Sequence, residues 1–207
     1  MARKEYPLNH LSHFLPEGSY EPIAWYLHHY KVHLTVSRER RSLLGDYRHA
    51  HLNRNHRISV NGNLNPYSFL ITLIHELAHL VTYEQFGNRV QSHGKEWKQL
   101  YRHLLEQFLG KNLFPGDVEA ALNKSLHNLP ASSCADENLM RILRKHDHPD
   151  QKQVLVEELP EGALFEIEGG RIFQKGKKLR KRYQCKELAT GKLYLFSGLY
   201  EVINHQL

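Results

Sequence analysis

At 207 residues the chain is long enough for one large domain, or for a medium domain with a small companion. Hydrophobic residues at 41% and charged residues at 24% exclude a disordered chain, and two cysteines, Cys134 and Cys185, exclude a disulfide framework or a four-cysteine metal site. A formal charge of +6 tilts the expected partners toward acidic ones, and the sparse cysteines suit a reducing cytosol, so a cytoplasmic location is expected.

The opening MARKEYPLNHLSHFLPEG has a basic tip but no apolar segment of a signal peptide. The run Phe69–Ile74 is far too short to span a bilayer, so no membrane partner is expected. Tyr20–Tyr30 reads as an amphipathic helix and Val32–Ser37 as a strand with alternating burial. Arg38, Arg40, Arg41 and Arg48 read as a solvated basic face or as the flank of a substrate groove, and His28, His29, His49, His51 and His56 as surface or core histidines. Arg57–Asn61 is a second strand, ended by the turn residues NGN. Asn65 then offers an N-cap with Pro66 at the first helical position. Leu70, Leu73, Ile74, Leu77 and Val81 recur at helical spacing until Gly87. A further helix starts after Ser92 with the stripe Trp97, Leu100, Tyr101, Leu104, Leu105 and Phe108, and stops at Gly110. Asp117–Asn128 is another helix, PASSCADEN a break, and Met140–Lys145 a short helical turn before the polar HDHPDQKQ. From about residue 153 the period becomes two, in segments separated by glycine-containing turns, which predicts a small all-β unit, a barrel or a strongly curled sheet. The expected organisation is α+β, with a first domain over 1–130, a linker over 131–150 and a small basic β domain over 151–207.

His75-Glu76-Leu77-Ala78-His79 has the H-E-x-x-H pattern. Two histidines four apart on a helix share a face, so both imidazoles can meet one ion, and Glu76 stands beside it, placed to take a proton from water. Imidazole suits zinc, and a catalytic zinc site uses three protein ligands, leaving one position open. The motif lies inside the apolar ITLIHELAHLV, where Thr72, His75, Glu76 and His79 cluster on one side. Such a polar side within a buried helix is hard to explain without a ligand. Candidates for the third ligand are Glu84, His93 and Glu96. Glu84 turns away from the His75/His79 face. His93 stands at the mouth of the next helix with Gly94 behind it, where the backbone can come close, and is favoured. Glu96, one turn further, is a ligand candidate or a partner for a histidine.

NPYSFLITLIHELAHLVTYEQFG followed by SHGKEWKQL resembles the SprT-like family of zinc metalloproteases, to which the eukaryotic protease spartan belongs. The similarity covers roughly residues 20–110 and includes LGDYR (Leu44–Arg48) and RISVN. It implies a zincin-like fold, one Zn2+ held by His75, His79 and His93, Glu76 as general base, and protein substrates that in better-known relatives are bound or crosslinked to DNA. Many relatives end in a cysteine-rich zinc ribbon. Here only Cys185, in RYQC, remains in a similar setting, so a second metal site cannot be built from cysteines.

The β region separates its charges. Glu157, Glu158, Glu161, Glu166 and Glu168 come first, and nine basic residues follow between Arg171 and Lys192, with Glu187 the one acid among them. Lys175, Lys177, Lys178, Arg180, Lys181 and Arg182 are the candidate nucleic-acid contacts, with Phe173 and Tyr183 interleaved as candidates for base stacking. The alternative is equally physical: lysines on strands block aggregation while the aromatics form the core. The expected function is a zinc-dependent endopeptidase acting on proteins, with DNA as a candidate second partner. The rivals are a nucleic-acid-binding protein with a structural or regulatory metal, which would gain nothing from Glu76, and a metal hydrolase of another substrate. The sequence does not name the donor that would stabilise the oxyanion; a Tyr or Arg near Tyr47-Arg48 is the candidate.

Overall fold

The computed structural model describes residues 8–40, 43–52, 54–126, 136–147 and 153–205. The chain divides into two compact units, Met1–Asp147 and His148–Leu207. Cys134 and Arg41 lie outside the described residues.

The first unit begins with a 3-10 helix (Leu8–Phe14) and continues through α1 (Tyr20–His29), β1 (His33–Ser37), β2 (Gly45–Arg48), β3 (Arg57–Asn61), α2 (Pro66–Phe86), α3 (Lys95–Glu106), α4 (Gly116–Leu126) and α5 (Glu137–Arg144). Its three-stranded sheet has the order β1-β3-β2, with β1 parallel and β2 antiparallel to β3. The helix and sheet together make this unit α+β.

α2 is the centre of the unit because it is apolar nearly all round. Phe69, Leu70, Leu73, Ile74, Ala78 and Leu80 are fully buried, and an all-round apolar helix is stable only inside a core. Its start is fixed by Asn65, whose side-chain oxygen accepts from Ser68 N at 2.9 Å. The same side chain donates to Leu143 O at 2.9 Å, at the end of α5, and to Asp147 Oδ1 at 2.6 Å. α3 buries Trp97, Tyr101, Leu104 and Leu105, one stripe at helical spacing, in the same core.

The expected linker over 131–150 needs correction. α5 lies within it, and Leu139 and Leu143, each 3% exposed, pack into the core of the first unit. Their partners are distant in sequence, so the short helical turn expected over Met140–Lys145 is an eight-residue helix, Glu137–Arg144, held by its burial. The strand β2 was not expected at all; its role appears at the site.

In the second unit the described residues form β4 (Gln153–Leu155), a 3-10 turn (Val156–Glu158), β5 (Leu164–Ile167), β6 (Arg171–Leu179), β7 (Arg182–Glu187), β8 (Leu193–Ser197) and β9 (Glu201–His205). These make one six-stranded antiparallel sheet in the order β4-β9-β5-β6-β7-β8. Backbone bonds from Val156 N to Tyr200 O and from Glu157 N to Gly198 O, both 3.0 Å, bring the segment after β4 to the β8–β9 turn, so the sheet is curled. The core is Val156, Leu159, Phe165, Phe173, Cys185, Phe196 and Val202. Cys185 is fully buried and burial pushes its thiol pKa up; it is a core residue.

Candidate metal centre

α2 carries His75 and His79 one turn apart, and the segment joining α2 to α3 returns His93 to the same point. His75 Nε2 stands 3.2 Å from His79 Nε2 and 3.2 Å from His93 Nε2. The ligand atoms of all three lie within 4.8 Å of one another, so this group could hold a metal ion. No other such group occurs among the described residues. The return of His93 depends on a tight local turn. Gly94 N donates to Gln91 O at 2.9 Å, and a Cβ on Gly94 would meet that same oxygen at 2.9 Å. His93 itself has φ +60°, a left-handed conformation that costs a non-glycine residue about 1–3 kcal/mol.

Aromatic rings surround the trio. The Trp97 ring centroid is 4.8 Å from that of His75, 5.2 Å from His79 and 4.7 Å from His93. Tyr101 stacks on Trp97 at 4.8 Å and meets His75 edge-on at 5.4 Å. Tyr47, from β2, lies parallel to His79 at 6.4 Å. Burial, with His79 and His93 adding, lowers the pKa of His75 to about 3; burial, with His93, lowers that of His79 to about 4. His93 is lowered for the same first reason, with Lys98 contributing. All three are therefore neutral at pH 7, the form in which imidazole binds metal. His75 Nδ1 is buried with no hydrogen-bond partner among the described residues.

Glu76 is 6% exposed. Burial pushes its carboxyl up to about 8, Asp46 adds to the rise and Arg40 opposes it. β2 closes over it: a Cβ on Gly45 would meet Glu76 Oε1 at 2.6 Å and Thr72 Cγ2 at 2.8 Å. Gly45 is thus a part of the site that residue-by-residue reading missed. The available clue was a lone glycine opening the short LGDYR segment, since such a glycine marks close backbone approach. Arg40 is held in turn by Asn61 Oδ1 at 2.8 Å and Ser59 Oγ at 2.9 Å.

The SprT-like family profile matches residues 19–120, from just before α1 into α4. Residues 19–120 belong to the SprT-like family. Curated relatives, each called Protein SprT, match over short stretches. That of Pseudomonas putida is 49% identical over 35 residues, 17% of this chain and 21% of the relative. That of Glaesserella parasuis is 61% identical over 31 residues, covering 15% and 19%, and that of Yersinia enterocolitica 59% over 32 residues, covering 16% and 18%. The matched stretches thus span about a fifth of the relatives' own length. No solved structure matches.

Other candidate residues of the SprT-like unit lie elsewhere. Glu84 does not join the trio; its Oε1 is 3.2 Å from His56 Nε2. His56 Nδ1 meets Tyr47 Oη at 2.8 Å and Ala50 N at 3.4 Å. With Ala50 N–H as a donor, Nδ1 is the acceptor, so the Tyr47 hydroxyl donates to His56, and its proton is committed there. Arg48 is paired with Asp46 at 2.9 Å. Glu96 sits in the first turn of α3, half-buried and outside the group.

In the second unit Lys175 must be removed from the nucleic-acid candidates. It is 5% exposed, its ammonium donates to Leu159 O and Glu157 O, and it lies 4.3 Å from the centroid of Tyr183. Phe173 is fully buried and cannot stack on a base. Lys177, Lys178, Arg180, Lys181 and Arg182 are exposed, at the end of the β6–β7 hairpin. Among the described residues no helix is long and apolar enough to cross a membrane.

Proposed function

We propose that this protein is a zinc-dependent endopeptidase with a zincin-like catalytic unit, in which His75, His79 and His93 hold one Zn2+ and Glu76 is the general base. The observation that carries this reading is the convergence of three neutral imidazoles, with the buried Glu76 next in the chain to one of them. The donor set fits zinc. A tetrahedral site with Zn–N near 2.0–2.1 Å places its nitrogens about 3.3 Å apart. The 3.2 Å spacing of His75 from both partners is close to that value. Three crowded ring nitrogens also cannot all be satisfied by one another's protons, whereas a cation satisfies them together.

When bound there, zinc supplies Lewis acidity, polarising a carbonyl oxygen and making water more acidic. This chain's residues do the rest. Trp97 and Tyr101 hold the imidazoles in place and exclude water from behind them. Glu76 accepts a proton from the attacking water and delivers it to the leaving amine. A nearby cation favours the ionised carboxylate and so counters the effect of burial on Glu76. A purely structural site would gain nothing from this buried carboxylate, which disfavours the rival reading.

Proteins held on DNA are the proposed substrate class, supported by the family resemblance and by the exposed cations of the second unit. The test is Glu76→Gln: zinc content should stay at the wild-type level while peptide hydrolysis falls at least about a hundredfold. Activity within a few-fold of wild type would remove Glu76 from the reaction.

A further inference from the structure

We propose that the end of the β6–β7 hairpin is a sequence-independent docking site for the phosphate backbone of double-stranded DNA. The inference deepens the DNA-linked part of the proposed function, and its test reads binding alone, so its failure would leave the metal centre standing.

The hairpin projects. β5 pairs with β6 only as far as Leu164↔Gln174, and Lys175 N donates to Ala163 O at 2.8 Å just beyond. From there to Leu179, β6 pairs with β7 alone, through Lys178↔Tyr183 and Leu179↔Arg182. A bulge between Lys175 and Lys178 shifts the register at the base of this extension, and bulges twist a ribbon and re-aim its side chains. Beyond the bulge every charged residue is a cation: Lys177, Lys178, Arg180, Lys181 and Arg182, all exposed. No acid among the described residues pairs with any of them. Three acids of this unit are engaged elsewhere, Glu187 with Arg171 at 2.7 Å, Glu166 with His205 at 2.6 Å and Glu158 with Leu155 N at 2.8 Å. The internal cation is likewise spent, Lys175 being bonded inside the sheet. The fold thus gathers five exposed charges of a single sign, none paired with a described acid, at the projecting end of the hairpin.

This arrangement selects among polyanions. Leu179, 39% exposed, is the one apolar side chain among residues 177–182, too little apolar area to hold a bilayer surface. Binding of single strands relies on aromatic rings that accept successive bases. Phe173 is buried, the ring of Tyr183 is covered by the ammonium groups of Lys175 at 4.3 Å and Lys178 at 5.5 Å, and Arg171 lies 5.0 Å over Tyr194. Tyr200, 38% exposed, is a single ring set edge-on to Phe196, not a platform for a run of bases. A two-stranded ribbon carrying cations on both strands instead suits duplex DNA, whose major groove admits such a ribbon between two rows of phosphates. Contacts to phosphate position a protein without reading sequence.

The experiment uses the full chain carrying Glu76→Gln, so that nothing is cleaved, and measures binding to a duplex of about 20 base pairs, an equally long single strand and phosphatidylserine vesicles over a salt series. Five phosphate contacts predict a log–log salt slope of about −4.5 for the duplex. Changing Lys177, Lys178, Arg180, Lys181 and Arg182 together to Ser should bring that slope near zero and weaken binding at low salt about a hundredfold or more. The milder pair Lys177→Ser and Lys181→Ser should remove about 1.8 from the slope, and Lys→Arg at positions 177, 178 and 181 should keep it. Absent duplex binding at low salt, a slope that survives the five serines, a single strand bound far more tightly than the duplex, or vesicles bound without DNA would each overturn the proposal.

Discussion

The two units bury polar groups in opposite ways. In the first, His75 and Glu76 are 7% and 6% exposed, the Nδ1 of His75 has no partner among the described residues, and the Nε2 atoms of three histidines face one another. In the second, Lys175 and Glu187 are each 5% exposed, but Lys175 is bonded to two carbonyls and Glu187 to Arg171 and Thr190. A buried polar group costs free energy unless it is paired. Where the pairing is internal and complete, the group belongs to the architecture. Where ring nitrogens converge on one point, as the three Nε2 atoms do, the group could hold a metal ion. Burial alone therefore does not mark a site; incomplete pairing does.

The largest effect that would break this contrast is expected at Gly45. Gly45→Ala places a methyl group 2.6 Å from Glu76 Oε1 and 2.8 Å from Thr72 Cγ2, both on the buried side of α2. The carboxyl must turn or β2 must lift, so peptide hydrolysis should fall at least about tenfold while overpacking costs about 1–3 kcal/mol of stability. Paired thermal melts and peptidase assays check both. Wild-type activity in the alanine variant would mean that β2 does not hold Glu76.

A smaller effect is expected at Lys175. Lys175→Ala removes the donor to Leu159 O and Glu157 O, and leaving such acceptors unpaired costs about 1–3 kcal/mol. Thermal unfolding of the second unit should register that loss. DNA affinity of the folded variant should be unchanged, because the ammonium does not reach the surface. A matching loss of DNA affinity would return Lys175 to the binding face and blur the division between internal and outward charge.

Much of this was legible in the sequence where the determinants are local. Asn65, Pro66 and Gly87 bound α2, and the four-residue spacing of His75 and His79 is enough to bring their rings together on one helix face. The third imidazole needed more, since His93 arrives through a turn with φ +60°, and only the following glycine hinted at it. Two features were hidden because their causes are distant in sequence. β2 has four residues, too few for an alternation to register, and exists because β3 pairs with it and α2 receives it. α5 looks like a linker until Leu139 and Leu143 meet the core and Asn65 binds Leu143 O. Lys175 is a different kind of miss. The alternation of RIFQK already put it on the same face as Phe173, so its inward direction was there to be read; its charge suggested the opposite.

The central claim, that three histidines hold one zinc, is tested most directly by metal content. The purified 207-residue chain should carry one zinc, His79→Ala and His93→Ala should each lose most of it, and Glu96→Ala should keep it. A wild-type chain that takes up no zinc, or a His93→Ala variant that keeps its zinc while Glu96→Ala loses it, would contradict the account.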